Sequence, residues 1–371
     1  MIYLDNHTTT CPCNPAIDRM LYYLKESWGV PNSLNTLGMR AAEDLENLYA
    51  PIYQLLSLDP EDTFIFTSSS TEAVNHLVFG CFLEYTRKTG KNQFIVMANE
   101  DAALVYSLQR LEEEFDCQIK TVQTIEALEK SFSPKTALVS FSLAQGLTGI
   151  IHPFEKIASL CKLKNVPLHI DVSYALGKIP ISADGWSYLT FSGDRLHAPK
   201  STGGVAIKKN MSLPPLLLGG KEQNSLRGSH LDMASFAALS SACQQSYLFL
   251  DQMSLETARL RQKLEEGLRP YGTVLLEDSL RLPNVSVISF SGVWFESLLY
   301  FLQQKGVIAS AGGGFSPQLG SILLSMGYPK EIAFTSLSFS LSRYTTEEEI
   351  DKAIQIIIET VEKLRTISVS L

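Results

Sequence analysis

The sequence predicts an α/β protein, with a large domain built on a mostly parallel, doubly wound sheet and a smaller C-terminal α/β domain. Two observations predict it. In the first half of the chain, short apolar runs alternate with helical patterns, and strand, helix, strand at that spacing builds a parallel sheet. Beyond about residue 232 the pattern changes to a long helical stretch, followed by further short strands and helices.

"TFIFT" at 63–67 reads as a buried strand, and "TEAVNHLVFGCFLEY" after it as a helix. "FIVMA" at 94–98, "ALVSFS" at 137–142 and "VPLHID" at 166–171 read as strands, with a helix at 153–164 between the last two. "YLTFS" at 188–192 and "GGVAIK" at 203–208 add two more. One continuous helix is expected from about 232 to 269. After it come "VSVISFS" at 285–291, a helix near 294–304, "VIASAGGG" at 307–314, "SLSFSLS" at 336–342 and a last helix from about 346 to 366. Thr346 with Glu349 three residues on forms a capping-box signature for that helix. The domains are placed at 13–250 for the large one, and at 1–12 with 251–371 for the small one.

The chain has 371 residues, 45% hydrophobic and 19% charged, with a formal net charge of -8. This acidic balance argues against nucleic acid and anionic membrane surfaces as partners. No apolar run is long enough to span a bilayer. "MIYLDNHTTT" lacks the basic and apolar regions of a signal peptide. Six scattered cysteines read as reduced thiols in a cytoplasmic protein. Cys11 and Cys13, in "CPC", supply only two of the four ligands zinc usually takes, so they read as incidental thiols. The histidines show no metal-ligand spacing.

Five segments carry a family resemblance: "YLDNHTTT", "FTSSSTEAVN" at 66–75, "HIDVSYALGKIPI" at 169–181, "TFSGDRLHAPKSTGGVAI" at 190–207 and "SFSLSRYTTEEEID" at 338–351. In this order the chain resembles NifS-like cysteine desulfurases, pyridoxal-phosphate (PLP) enzymes of the class V aminotransferase group. The resemblance covers nearly the whole chain. It implies the PLP-transferase fold of type I, PLP as cofactor, and a homodimer with active sites built across a two-fold interface. It also implies cofactor-binding places at Asp171 for the pyridine nitrogen, Thr71 and Ser192 for the phosphate, Tyr174 near the ring hydroxyl, and His230 for a phosphate contact across the dimer.

The places where this family keeps its chemistry hold other residues. The family pattern S-x-H-K carries the cofactor as an imine on its lysine; here it reads Ser192, Gly193, Asp194, Arg195. A guanidinium stays protonated and cannot attack a carbonyl as a deprotonated lysine can. Asp101 stands where the family stacks a histidine on the ring, and Gly146 where it has an asparagine. Tyr174 replaces a glutamine, Phe315 falls at or beside the nucleophilic cysteine, and Ser338 replaces the arginine that grips the substrate carboxylate. No catalytic residue is left intact. The resemblance then implies a desulfurase-like protein without desulfurase activity, acting as a pseudoenzyme, scaffold or regulator. Its partners would be a second copy, an active desulfurase or an iron–sulfur assembly protein. Two alternatives are a PLP enzyme with altered chemistry on an amino acid, cofactor-bound without an imine or through Lys200, and a binder of another small molecule. A buried Asp171 that has lost its cationic partner would be costly. Arg195 is therefore expected to turn inward and pair with Asp101, Asp171 or Asp194.

Overall fold

The computed structural model describes residues 1–31, 33–313 and 318–369. Among them the chain divides into two compact units. The larger comprises Thr10–Leu143 and Pro153–Phe249; the smaller comprises Met1–Thr9, Ala144–His152 and Leu250–Leu371.

The larger unit is built on seven strands: β1 Thr63–Thr67, β2 Gln93–Met97, β3 Gln118–Val122, β4 Thr136–Ser142, β5 Leu168–Asp171, β6 Tyr188–Ser192 and β7 Gly203–Ile207. Their spatial order is β1, β7, β6, β5, β4, β2, β3. β7 runs antiparallel to both neighbours and every other pairing is parallel. β2, β4, β6 and β7 are buried along their whole length, as strands covered on both faces must be. Their side chains pack with the helices Ser70–Cys81 and Ala102–Phe115 into one apolar core around Leu77, Phe94, Leu108, Leu138 and Val205. The carboxyl ends of β2, β4, β5 and β6 come out side by side, the edge at which open α/β sheets present polar groups to ligands.

The smaller unit has a three-stranded antiparallel sheet: Ser336–Ser340, Val285–Ser289 and Thr273–Leu275, in that order. The helices Leu250–Leu268, Phe295–Gln304 and Glu347–Val369 pack around its core of Leu264, Ile288, Leu298, Phe339 and Ile357. Ile2–Tyr3 pairs in parallel with Val307–Ile308. The last helix opens on the expected box: Thr346 Oγ1 accepts from the Glu349 amide at 3.2 Å, and Glu349 accepts from the Thr346 amide at 3.0 Å.

Two expectations need correction. The helix expected over 232–269 is two helices, Met233–Leu248 and Leu250–Leu268, because Phe249 leaves helical geometry (φ -116, ψ 13). Residues Ala144–His152, assigned above to the large domain, belong to the smaller unit, and residues 10–12, assigned above to the small domain, belong to the larger one, where Thr10 bonds to Asp194. The backbone of Ala144–His152 is committed to the smaller unit: Ile151 donates to the Leu280 carbonyl at 2.9 Å, and Gly149 accepts from the Leu282 amide at 2.7 Å. Leu147 joins a second apolar cluster with Leu275, Val287 and Leu323.

Candidate functional site

The site forms where the carboxyl ends of β2, β4, β5 and β6 meet. β2 is followed by Asn99, Glu100 and Asp101, β4 ends on Ser142, and β5 ends on Asp171. β6 ends on Ser192 and passes directly into a single 3-10 turn, Gly193–Arg195. The backbone of that turn is pinned from two sides. Thr10 donates to the Asp194 carbonyl through its amide (2.8 Å) and its hydroxyl (2.7 Å). Lys178 Nζ donates to the Arg195 carbonyl at 3.0 Å. The "CPC" stretch is part of this anchoring: the Cys11 carbonyl lies 2.8 Å from His197 Nδ1, and the Cys13 amide donates to the His197 carbonyl at 2.9 Å.

Arg195 turns inward. Its side chain is only 8% exposed, and its guanidinium carbon lies 4.2 Å from the centroid of the Tyr174 ring, a cation–π contact. Its Nη1 donates to Asp101 Oδ2 at 3.4 Å. The Tyr174 hydroxyl shares its proton between the two Asp101 oxygens, each 2.9 Å away. Asp101, Tyr174 and Arg195 thus form a closed triangle of anion, phenol and cation. Nε of Arg195 is buried and meets no hydrogen-bond acceptor among the described residues. Burial by itself would lower the Arg195 pKa; the Tyr174 phenol and the carboxylates of Asp101, Asp194 and Asp171 outweigh it and push it up. The guanidinium is therefore a fixed charge.

Asp171 sits at the end of a directed chain of hydrogen bonds. Its Oδ2 accepts from the Thr190 hydroxyl at 2.7 Å, and its Oδ1 from the Ser173 amide at 2.9 Å. Thr190 has spent its only proton, so its oxygen accepts from His169 Nε2 at 2.9 Å. Burial holds His169 neutral, with its pKa lowered to about 3, so Nδ1 accepts from the Ser140 hydroxyl at 2.7 Å. Every donor in the row from β4 through β5 to β6 points at Asp171. Burial still raises the Asp171 pKa, with these hydrogen bonds opposing it.

Glu100 is a member of the cluster that the sequence motifs did not mark. It is buried, and Ser142 donates to it through its amide (2.9 and 3.1 Å) and its hydroxyl (2.5 Å). Burial pushes its pKa up to about 8, the Ser142 hydrogen bonds pull it down, and Asp101 and Asp171 add to the rise. The signal was present in "FIVMANED", where two consecutive acids follow a wholly apolar strand.

The structure thus brings Asp101, Asp171, Tyr174, Ser192 and Arg195 together in the larger unit. Ser192 Oγ donates to Asp194 at 2.5 Å. Thr71 lies in the first turn of the helix Ser70–Cys81 and is exposed. At that helix start Ser69 Oγ accepts from the Glu72 amide at 3.1 Å, and Glu72 accepts from the Ser68 amide at 2.7 Å and pairs with Arg227 at 2.9 Å. β7 passes so close that a Cβ on Gly203 would lie 2.6 Å from the Ser69 carbonyl carbon. His230 is exposed, with Nδ1 3.9 Å from Glu222. Ser338 belongs to the smaller unit, where it is fully buried and donates to the Leu147 carbonyl at 2.7 Å. Phe315 lies outside the described residues. All six cysteines carry free thiols. Among the described residues no group of three or more His, Cys, Asp or Glu is placed to hold a metal, and no helix is long and apolar enough to cross a membrane.

The sequence pattern of class V aminotransferases matches residues 2–353. This chain belongs to that family. It is 33% identical to cysteine desulfurase 2 of Trichormus variabilis, over 99% of this chain and 95% of that protein. It is 30% identical to the cysteine desulfurase NifS of Azotobacter vinelandii, over 99% of this chain and 94% of that one. A solved NifS-like protein superposes with a TM-score of 0.91 at 27% identity, covering 98% of this chain and 99% of the other. The family is PLP-dependent, and the mostly parallel sheet of the larger unit is that of the fold-type-I PLP-dependent transferases.

Proposed function

We propose that this chain is a NifS-like protein that has given up cysteine desulfurase chemistry and works through its surface, as a scaffold or regulator. The observation that carries this reading is Arg195, buried, stacked on Tyr174 and facing Asp101 at the end of β6. The residues around it do not fit an aldehyde cofactor held through an imine. The side chain at that place cannot lose its proton, and its head lies against Tyr174 and Asp101 instead of presenting a nucleophilic nitrogen. Lys200 is exposed, which argues against it as a replacement. Asp101, at the place of the ring-stacking histidine, is bound to Tyr174 and Arg195 instead. No reaction step is assigned to this site.

Partners follow from the family resemblance: a second copy of this chain, an active desulfurase, or an iron–sulfur assembly protein, in the cytoplasm. A second reading, a PLP-binding enzyme with altered chemistry on an amino acid, is favoured by one observation. The hydrogen-bond chain that ends on Asp171 is complete and would still suit a pyridinium nitrogen.

One experiment separates the two. The purified protein is mixed with PLP, its absorbance is recorded, and it is reduced with borohydride and weighed intact. A colourless protein of unchanged mass is expected. PLP absorbance that stays with the protein after gel filtration, with or without a reduced adduct on a lysine, overturns the proposal.

A further inference from the structure

We infer that Arg195 is a tethered ligand, a planar cation that neutralises the carboxylate edge of the larger unit from within, and that its place accepts a free guanidinium ion once the side chain is cut back. The inference rests on the function proposed above.

The walls of this place are set without Arg195. Tyr174 and Asp101 hold each other through the shared hydroxyl proton. Asp171 is fixed by Thr190 and Ser173, and Asp194 by Ser192 on its side chain and Thr10 on its backbone. Removing the guanidinium therefore leaves a preformed plate, the Tyr174 ring, beside Asp101, which has lost its counter-charge.

The head itself is held by charge and by the ring face more than by directed bonds. It makes one long hydrogen bond, 3.4 Å to Asp101, while its buried Nε–H meets no acceptor among the described residues. A detached guanidinium keeps the plane and the charge and is free of the tether that fixes how the head meets Asp101. Urea has the same plane and no charge, so it tests what the place selects.

The test is thermal unfolding of Arg195→Ala titrated with guanidinium chloride, urea or sodium chloride at matched low-millimolar concentrations. The variant is expected to melt below the parent protein. Guanidinium should restore part of the loss along a saturating curve, with the folding constant rising about tenfold at ten times the dissociation constant. Urea and sodium chloride should restore nothing. Arg195→Met, which refills the space with an apolar stem, should lose stability and not respond to guanidinium. If Arg195→Ala does not accumulate folded, the same comparison is read as refolding yield, with guanidinium expected to exceed urea. An alanine variant as stable as the parent, or equal effects of guanidinium and urea, overturns the inference. That outcome is distinct from failure of the functional reading, which would show as PLP retained by the parent protein.

Discussion

Replacing Glu100 with glutamine should change how stability depends on pH more than it changes the maximum. Glu100 is buried, and its carboxyl is pushed from an ordinary 4.5 up to about 8, chiefly by burial, with Asp101 and Asp171 adding to the rise. The folded chain therefore holds this proton more tightly than the unfolded chain. The stability it contributes is fully present below pH 4.5 and is lost as the pH rises through about 8. The gap between those values corresponds to about 5 kcal/mol lost across that window. Glutamine keeps a carbonyl for the shorter Ser142 amide bond and turns the hydroxyl bond round, its NH2 donating to Ser142 Oγ; it gives up the 3.1 Å contact and removes the ionisation. The assay is urea denaturation of both proteins at pH 5, 7 and 9. Glu100→Gln should match the parent within about 1 kcal/mol at pH 5 and exceed it by several kcal/mol at pH 9. Curves that stay parallel from pH 5 to 9 would refute the placement of Glu100 as a buried, protonated acid.

Other expectations concern the neighbouring networks. Thr190→Val removes the link between His169 and Asp171 and leaves a donor and an acceptor buried without partners, so it should cost about 3 kcal/mol in denaturation. His169 should stay neutral with its proton on Nε2 well below pH 6, which nitrogen NMR of the ring reads directly. Because its pKa is lowered to about 3, the stability it contributes is present above pH 6.5 and falls away as the pH drops toward 3. In the smaller unit, Arg281 pairs with Glu265 at 3.1 Å with both side chains buried. Arg281→Met should cost about 2 kcal/mol in denaturation, because Glu265 loses the nearer of its two cations and keeps only Arg261, 3.7 Å away.

How much of this was legible in the sequence depended on whether the deciding interaction was local. β1, β2, β4, β6 and β7 are short apolar runs buried on both faces, and composition alone exposes such runs. The Thr346–Glu349 box is written in four adjacent residues and formed as expected. β3, "QIKTV", has one fully buried residue because it lies at the sheet edge, so its pattern was too polar to notice. The break at Phe249 carries no glycine or proline to announce it. The loop at 144–152 follows a strand of the larger unit in sequence, and only its bonds to residues 280 and 282 decide where it belongs.

The candidate site obeys the same rule one level up. That Arg195 would seek a carboxylate followed from charge alone, since a buried cation needs a counter-ion wherever it lies. Which carboxylate it meets is a matter of sheet topology. β2 and β6 are separated in the sheet by β4 and β5, so Asp101 and Arg195, 94 positions apart, meet only when the loops beyond those strand ends converge. Tyr174 could be read locally only as a changed residue after β5, yet the structure makes it the hinge of the cluster, with its ring under the cation and its hydroxyl on the anion. Glu100 escaped because the motif marked its neighbour; only the fold shows that Ser142 and β4 enclose it. The chemistry of each residue was readable one position at a time, whereas the pairing that gives those residues a joint role is a property of strand order.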